Sequence, residues 1–410
     1  MKKIGIIIQR YGNEINGGAE HHAKILAEKL SSKYNIEIIT TRSIDHNNWG
    51  NYYENSQELI KNIKINRFSS DTKNQKKFRK YRRLILKNTK TQQLLKKIGI
   101  HEFLDSRFNF FTPSKNECQQ WLKEIGPYCP KLIEFLDLNK NNFDSFIFFT
   151  YLFYPTVEGL KIIGEKSILI PTAHDEPEFY ASVYKSTYKN AKFIMYNTST
   201  EKKLVEQHHK IAKLTQNDIA GIGLEKINLA QNNKYIYPFK YLLYIGRIEK
   251  GKGCFELYNF FNKFKKTNSN FKLIFIGKQN SELTPNEDII FTGFVSDSVK
   301  QLILSNCEAL IIPSHFESLS MVTLEAMYEK KIVIANGECK VLKDHIIKSN
   351  SGFYYHNEEE LFTVLTKIST LSREEVNHHG TNAKKYVENN YTWESILDKF
   401  DRAIDFIQKS

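Results

Sequence analysis

No apolar run in this 410-residue chain approaches the ~18 residues of a membrane-crossing helix. The longest, Phe146 to Tyr154, is broken by Thr150 and halted by Pro155. The start, Met1-Lys2-Lys3-Ile4-Gly5-Ile6-Ile7-Ile8, imitates a signal peptide only until Gln9-Arg10 ends the apolar stretch, so it reads as a first buried strand. Cysteine is scarce: Cys118, Cys129, Cys254, Cys307 and Cys339 are scattered, with no Cys-x-x-Cys and no His-Cys cluster. That excludes a disulfide framework and the common zinc sites, and fits reduced thiols in a cytoplasmic protein. The histidine pairs His21-His22, His208-His209 and His378-His379 are adjacent residues on helices, about 100° apart, and do not make metal pairs. Also missing are the Gly-x-Gly-x-x-Gly of dinucleotide enzymes and the Gly-x-x-x-x-Gly-Lys-Ser/Thr of the P-loop.

What the chain has in excess is positive charge, a formal +13. Lys, Asn and Ile are all abundant, so basicity alone says little about partners; its clustering says more. Lys73, Lys76, Lys77, Arg79, Lys80, Arg82, Arg83, Lys87, Lys90, Lys96 and Lys97 fall in 25 residues without an Asp or Glu. Phe78, Tyr81, Leu84, Ile85, Leu94, Leu95 and Ile98 are interleaved among them at helical spacing. The stretch suits a solvated basic face, an anionic membrane surface or a polyanionic acceptor. No nucleic-acid recognition motif accompanies it, and nucleic acid is not the expected partner.

Apolar runs alternate with helical patterns through most of the chain, which predicts parallel sheets covered on both faces. Strands are expected at Ile4–Gln9, Ile36–Thr41, Phe143–Thr150, Ile168–Thr172 and Phe193–Tyr196, the last leading into the capping-box spacing Thr198 to Glu201. The rhythm is lost between about Asp45 and Lys140, which reads as a helical insertion. A second series runs through Tyr241–Ile245, Leu273–Ile276, Ile289–Phe291, Ala309–Ile312 and Ile332–Ala335, with helices at Gly253–Lys266, Ser298–Ser305 and Leu319–Tyr328. The expected organisation is α/β: two doubly wound Rossmann-like domains at 1–232 and 233–390, a linker near Gln231–Pro238, and an amphipathic terminal helix in 391–410.

Chemistry concentrates at the expected strand ends. Pro313 to Met327 follows a short strand and holds Glu317 in a loop and Glu325 in the ensuing helix, with the N–H groups of Ser318, Leu319 and Ser320 between them. That arrangement suits an anion flanked by two acceptors for sugar hydroxyls. Gly246-Arg247, with Lys250, Gly251, Lys252 and Gly253, forms a loop whose glycines admit close approach and whose Arg and Lys can neutralise a diphosphate. Gly17-Gly18 opens the first helix, where paired glycines make an anion site or allow tight packing. His174-Asp175 follows the strand ending near Pro171, at the sheet edge where such folds bind ligands.

Together, Gly17-Gly18, His174-Asp175, Gly246-Arg247 with Lys252, and Glu317 to Glu325 resemble, in order and spacing, family 4 of the retaining glycosyltransferases. The resemblance implies the GT-B fold, two Rossmann-like domains facing across a cleft, with the helix around Trp393 returning to the first. It implies a bacterial enzyme of surface polysaccharide or glycoconjugate synthesis, moving a sugar from a UDP- or GDP-linked donor to a glycan or lipid-linked acceptor. Such an enzyme would sit in the cytoplasm or on the inner face of the membrane. Carried over by match, Arg247 and Lys252 would hold the donor diphosphate, Glu317 the sugar, Glu325 the ribose, and Leu319 and Ser320 would offer backbone N–H groups. Gly18 would approach the diphosphate and His174 the sugar, while the base would lie near Gly293-Phe294-Val295. Many members have Gly-Phe-Gly where this chain has Ser318-Leu319-Ser320. The family works without a metal or other cofactor, in keeping with the missing Asp-x-Asp pair. A noncatalytic nucleotide-sugar or glycan-binding homologue is the alternative reading.

Overall fold

The computed structural model describes residues 1–15, 17–97, 111–225, 236–267, 271–279 and 282–409. The chain divides into two compact units, Met1–Ala220 joined by Leu397–Ser410, and Gly221–Ile396. The first crossing therefore comes about a dozen residues before the expected 232/233 boundary. Of the expected linker, 231–235 lie outside the described residues.

The first unit runs β1 (Lys3–Ile7), α1 (Gly18–Leu30), β2 (Asn35–Thr41), β3 (Gln57–Ile60), β4 (Ile63–Phe68), α2 (Gln75–Ile85), α3 (Lys90–Lys97), α4 (Lys115–Ile125), α5 (Pro130–Asn139), β5 (Ser145–Phe149), α6 (Tyr154–Ile163), β6 (Ser167–Ile170), α7 (Lys185–Asn190), β7 (Phe193–Tyr196), α8 (Ser199–His208) and β8 (Gln216–Ile219). These strands form one sheet in the order β3-β4-β2-β1-β5-β6-β7-β8, parallel except for β3. The central strands are buried on both faces, which is why they read as continuous apolar runs rather than alternating ones.

The expected helical insertion over 45–140 needs correcting at its start. β3 and β4 form a hairpin there, and β4 extends the sheet in parallel beside β2. Helices occupy much of the remainder, with 98–110 outside the described residues. At α8, the Thr198 side chain accepts from the Glu201 N–H as the capping spacing predicts. The Glu201 carboxylate goes further and accepts from Ala173 N at 2.5 Å and Asn197 N at 2.6 Å, tying together the ends of β6 and β7. Burial pushes its pKa up to about 8 against the pull of those backbone donors.

The second unit runs β9 (Lys240–Ile245), α9 (Cys254–Thr267), β10 (Phe271–Ile276), β11 (Ile289–Gly293), α10 (Asp297–Asn306), β12 (Ala309–Ile312), α11 (Met321–Tyr328), β13 (Ile332–Asn336), α12 (Lys340–Ser349), β14 (Gly352–Tyr355), α13 (Glu358–Thr370) and α14 (Arg373–Asn390). Its parallel sheet has the order β11-β10-β9-β12-β13-β14. The last helix, α15 (Trp393–Lys409), starts in this unit and continues in the first. Along it Ile396, Phe400, Ala403, Ile404 and Ile407 are buried, and within the first unit Asp401 accepts from the Tyr34 hydroxyl at 2.6 Å. The segments that enter and leave the second unit lie side by side: Leu224 N donates to Tyr391 O at 2.9 Å, and a Cβ on Gly223 would stand 2.4 Å from the Trp393 ring.

Candidate functional site

Strand order locates a site in the second unit. From β9 the chain adds strands outward through β10 and β11, then returns to place β12, β13 and β14 on the other side. The order therefore reverses between β9 and β12, and beyond the carboxyl ends of such a pair the diverging loops leave a crevice for ligands. The loop after β9 carries Gly246, Arg247 and Lys252; the loop after β12 carries Glu317 to Ser320. Both sequence-predicted segments thus flank the same switch point.

Three contacts fasten these loops. Tyr244 Oη donates to Arg247 O at 2.9 Å, and burial keeps that phenol protonated, well above its usual range. Gly253 has φ 73°, and a Cβ there would stand 2.3 Å from Pro313 O, so the backbones of the two loops meet at glycine. The Asn336 amide, at the end of β13, donates to the same Pro313 carbonyl at 3.1 Å.

The charged groups are held in pairs. Lys252 Nζ donates to Glu317 Oε1 at 2.7 Å, and Arg247 Nη1 lies 3.2 Å from Glu249 Oε1. Glu325 is paired with Lys300, whose Nζ lies 3.1 Å from Oε1 and 3.0 Å from Oε2. Each cation already has a carboxylate partner, so an incoming diphosphate would compete for Lys252 and Arg247 rather than find bare charge. The expected pairing of Lys252 with a ligand therefore begins from an ion pair with another predicted site residue.

Helix α11 opens at Met321, two residues later than expected, so Glu325 lies just over one turn in. Ser320 caps it from the left-handed region, φ 60°, with its hydroxyl 2.8 Å from that of Thr323. Sequence reasoning missed the group that braces this loop. His345, buried on α12, places Nε2 2.9 Å from Leu319 O and Nδ1 2.9 Å from Tyr386 Oη. A carbonyl can only accept, so Nε2 carries the proton and Nδ1 takes the tyrosine's. Burial lowers the pKa from the ordinary 6.5 to about 4. That contribution to stability is complete above pH 6.5 and is lost as pH falls toward 4, because the unfolded chain binds the proton first. His345→Leu is expected to lower unfolding free energy by about 2–4 kcal/mol, since it takes the donor from Leu319 O and leaves Tyr386 Oη with only its 3.5 Å contact to the Tyr391 hydroxyl. Urea titration at pH 7.5 and pH 5 checks this, the gap between wild type and variant narrowing at the lower pH.

On the far side of β9, Gly246, Gly277 and Gly293 follow or end three neighbouring strands, with Gly277 N donating to Gly293 O at 3.0 Å. Phe294 beyond them is 68% exposed and Val295 half-buried, an open apolar edge beside the loops.

Gly17, Gly18 and His174 belong to the first unit. Its strand order also reverses, between β1 and β5. A Cβ on Gly17 would stand 2.0 Å from Glu20 Oε2, whereas one on Gly18 meets nothing within 4 Å. Glu20 is buried and accepts from Gln9 Nε2 and Arg10 Nε, each at 2.9 Å. The polar loop from Arg10 is thus anchored by its first residue, and again where Arg67 Nη1 donates to Tyr11 O at 2.5 Å and Tyr53 Oη to Glu14 at 2.6 Å. Asn16 lies outside the described residues. His174 Nδ1 is 3.4 Å from Glu176 Oε1, which also accepts from Tyr151 Oη at 2.8 Å.

Fold and site define a class: two Rossmann-like units in the GT-B arrangement of strands, with a charged site at the switch point of the second. Over its whole length the chain superposes on sucrose-phosphate synthase from Thermosynechococcus elongatus with a TM-score of 0.72 at 14% identity, covering 100% of both chains. Anabaena HepE, solved with UDP and glucose, gives 0.66 at 12%, covering 99% of this chain and 100% of that one. At such identities the likeness speaks for the fold. Residues 229–393, most of the second unit, match the family of glycosyl transferases group 1. Among curated proteins the chain is similar to the capsular polysaccharide biosynthesis glycosyltransferase CapM of Staphylococcus aureus, 27% identical over 214 residues, 48% of this chain and 55% of that protein. It is also similar to a lipopolysaccharide 1,2-N-acetylglucosaminetransferase of Salmonella typhimurium, 24% identical over 192 residues, 42% of this chain and 50% of the other. The chain thus spans about half the length of the curated relatives it matches.

Proposed function

We propose that the protein is a retaining glycosyltransferase that moves a sugar from a UDP- or GDP-linked donor to a hydroxyl of a glycan or lipid-linked acceptor, in surface polysaccharide or glycoconjugate synthesis. The observation that carries this reading is the meeting of Arg247, Lys252, Glu317 and Glu325 around one switch point, within the segment that matches the glycosyltransferase family. In the reaction the bond from the anomeric carbon to the departing phosphate oxygen breaks on the same face where the acceptor oxygen bonds. The acceptor's proton passes to that phosphate oxygen. Arg247 and Lys252 stabilise the charge that grows on the diphosphate, which is the work a metal would otherwise do. Glu317 then exchanges Lys252 for the hydroxyls of the sugar, and Glu325 faces the ribose.

The test is a panel of UDP- and GDP-sugars scored by thermal protection. One donor class is expected to raise the melting temperature by several degrees at saturating concentration, since ligand affinity appears directly as stability. Protection by none of them, with no release of nucleoside diphosphate, would end the proposal; protection without turnover in the presence of hydroxyl acceptors would favour a noncatalytic binding homologue.

The acceptor's nature draws on α2. Its Lys76, Lys77, Arg79, Lys80 and Arg83 are exposed, while Phe78 stacks on Trp121 and Ile85 is buried, so its apolar side is spent on the core. No helix among the described residues is long and apolar enough to cross a membrane. We assign α2 to electrostatic docking on an anionic membrane surface, where lipid-linked acceptors reside. Replacing those five residues by glutamine is expected to release the protein from phosphatidylglycerol vesicles in a flotation assay; unchanged flotation would end the assignment.

A further inference from the structure

Arg10, Arg42 and Arg67 all stand near the carboxyl edge of the first sheet, and the structure uses them differently. Arg10 is held by Glu20 and by Ile44 O at 2.9 Å, and Arg67 by Glu58 and Tyr11 O, with its guanidinium 3.7 Å from the centroid of the Tyr53 ring. Arg42 lies one residue past β2. Its backbone is fastened on both sides: N donates to Phe68 O at 2.9 Å, and O accepts from Tyr52 N at 2.8 Å and Tyr53 N at 3.0 Å. Its half-buried guanidinium makes no hydrogen bond and no ion pair among the described residues, and its Nε is shut off from solvent. A shielded donor on a charged group is costly to leave unmatched, so the few that folded proteins keep point to a ligand oxygen or ion.

The neighbouring strands supply a second observation. Extending the registers Ile7–Ile39 and Ile7–Phe148 by two residues sets Gln9 level with Thr41 on one side and with Thr150 on the other. Thr41 Oγ1 duly donates to Gln9 O at 2.7 Å. β1 and β5, which carry Gln9 and Thr150 just past their ends, are the strands between which the order reverses. Gln9 Nε2 donates to Glu20, which settles the amide's orientation and leaves Oε1 as the remaining polar group. Gln9 is 4% exposed and Thr150 6%, yet Gln9 Oε1 and Thr150 Oγ1 have no hydrogen-bond partner among the described residues. Thr150 also takes φ 66°, a conformation that a β-branched residue seldom adopts and that clusters at ligand sites.

We propose that the crevice beyond β1 and β5 is a binding subsite for an anionic sugar, in which Arg42 takes the phosphate or carboxylate oxygens while Gln9 Oε1 and Thr150 Oγ1 take hydroxyls. A guanidinium suits either anion, because its planar fork can meet two oxygens at once. Within the glycosyltransferase reading on which this rests, the ligand is the acceptor, and the acceptor sugar itself carries the negative charge.

Calorimetric titration of the full chain with glucose 6-phosphate, glucuronate, glucose, inorganic phosphate and farnesyl diphosphate tests it. UDP or GDP, whichever binds, is held at saturation so that the cations of the second unit are taken. Glucose 6-phosphate or glucuronate is expected to bind the wild type, and Arg42→Gln to weaken it about tenfold or more, the worth of a hydrogen bond to a charged group. Arg42→Lys should restore part of the loss, and glucose should not distinguish the variants. Thr150→Val should weaken glucose 6-phosphate several-fold and leave inorganic phosphate unchanged. Arg42→Gln should melt within about two degrees of the wild type, since no internal hydrogen bond goes with the guanidinium. A large drop, equal affinities in wild type and Arg42→Gln, or no binding of either anionic sugar would overturn the proposal. Arg42-dependent binding of farnesyl diphosphate alone would place the charge on a lipid link and overturn the sugar assignment. Weaker binding of UDP or GDP to Arg42→Gln would put Arg42 on the donor and do the same. Should neither nucleotide bind, the donor reading falls, and the same titration without nucleotide still decides the subsite.

Discussion

Arg247→Ala is expected to lower turnover of a nucleotide-sugar about 10²–10³-fold, the usual consequence of removing one group aimed at developing charge. The melting temperature should stay within about two degrees, because the Arg247 side chain is 37% exposed and its ion pair with Glu249 is a surface contact worth little. The loss should fall on kcat more than on KM. In the proposed reaction charge on the departing diphosphate grows between ground and transition states, so the guanidinium should contribute most where the bond is breaking. Lys252→Met should cost a similar factor by a different route, since it also leaves Glu317 without the cation 2.7 Å away. Wild-type turnover in a folded Arg247→Ala protein would sink the assignment.

The largest effect on stability is expected from Gly253→Ala. Its φ of 73° is strained for any side chain, and the added Cβ would meet Pro313 O at 2.3 Å and Pro313 C at 2.9 Å. Both obstacles are backbone atoms, and the Pro313 carbonyl is already held by Asn336, so neither can step aside. We expect a loss of about 3 kcal/mol or more, combining backbone strain with the displaced loop. Gly18→Ala is the matched control: with nothing within 4 Å and an ordinary helical position, it should be neutral or slightly stabilising. Urea midpoints of the two variants decide the matter, and equal midpoints would show that the Gly253 approach is not tight in solution.

Much of this fold was readable because parallel sheets announce themselves. Runs such as Leu242–Ile245 and Ala309–Ile312 are buried on both sides, so their apolar character is unbroken and their bounds fell close to expectation. The hairpin β3–β4 was not readable for a physical reason. Its two-residue turn, Lys61-Asn62, takes positive φ at both positions, 48° and 64°, without the glycine that usually advertises such a turn. Strands with one charged face then looked like part of an irregular insertion.

In the site, loops were legible and partnerships were not. Glycines, Arg247, Lys252 and the two glutamates could be singled out from the sequence because they lie in the loops after β9 and β12 or in the helix that the second loop opens. Lys300 and His345 act on residues 25 and 26 positions away, Glu325 and Leu319, across elements whose approach depends on the strand order. One lysine or one histidine on an amphipathic helix carries no local mark of such a partner. The pairing of Lys252 with Glu317, 65 residues apart, was hidden for the same reason, although both members had been singled out.

The adjacency of Leu224 to Tyr391, and of Gly223 to Trp393, makes the second unit an insert whose two ends are stitched together. A segment with touching ends can be lifted out or re-opened elsewhere without stretching its host. Residues 221–396 should therefore tolerate excision as a free-standing domain, and a few glycines should suffice to reconnect Ala220 to Leu397, where the Lys399 ammonium already reaches the Ile219 carbonyl at 2.6 Å.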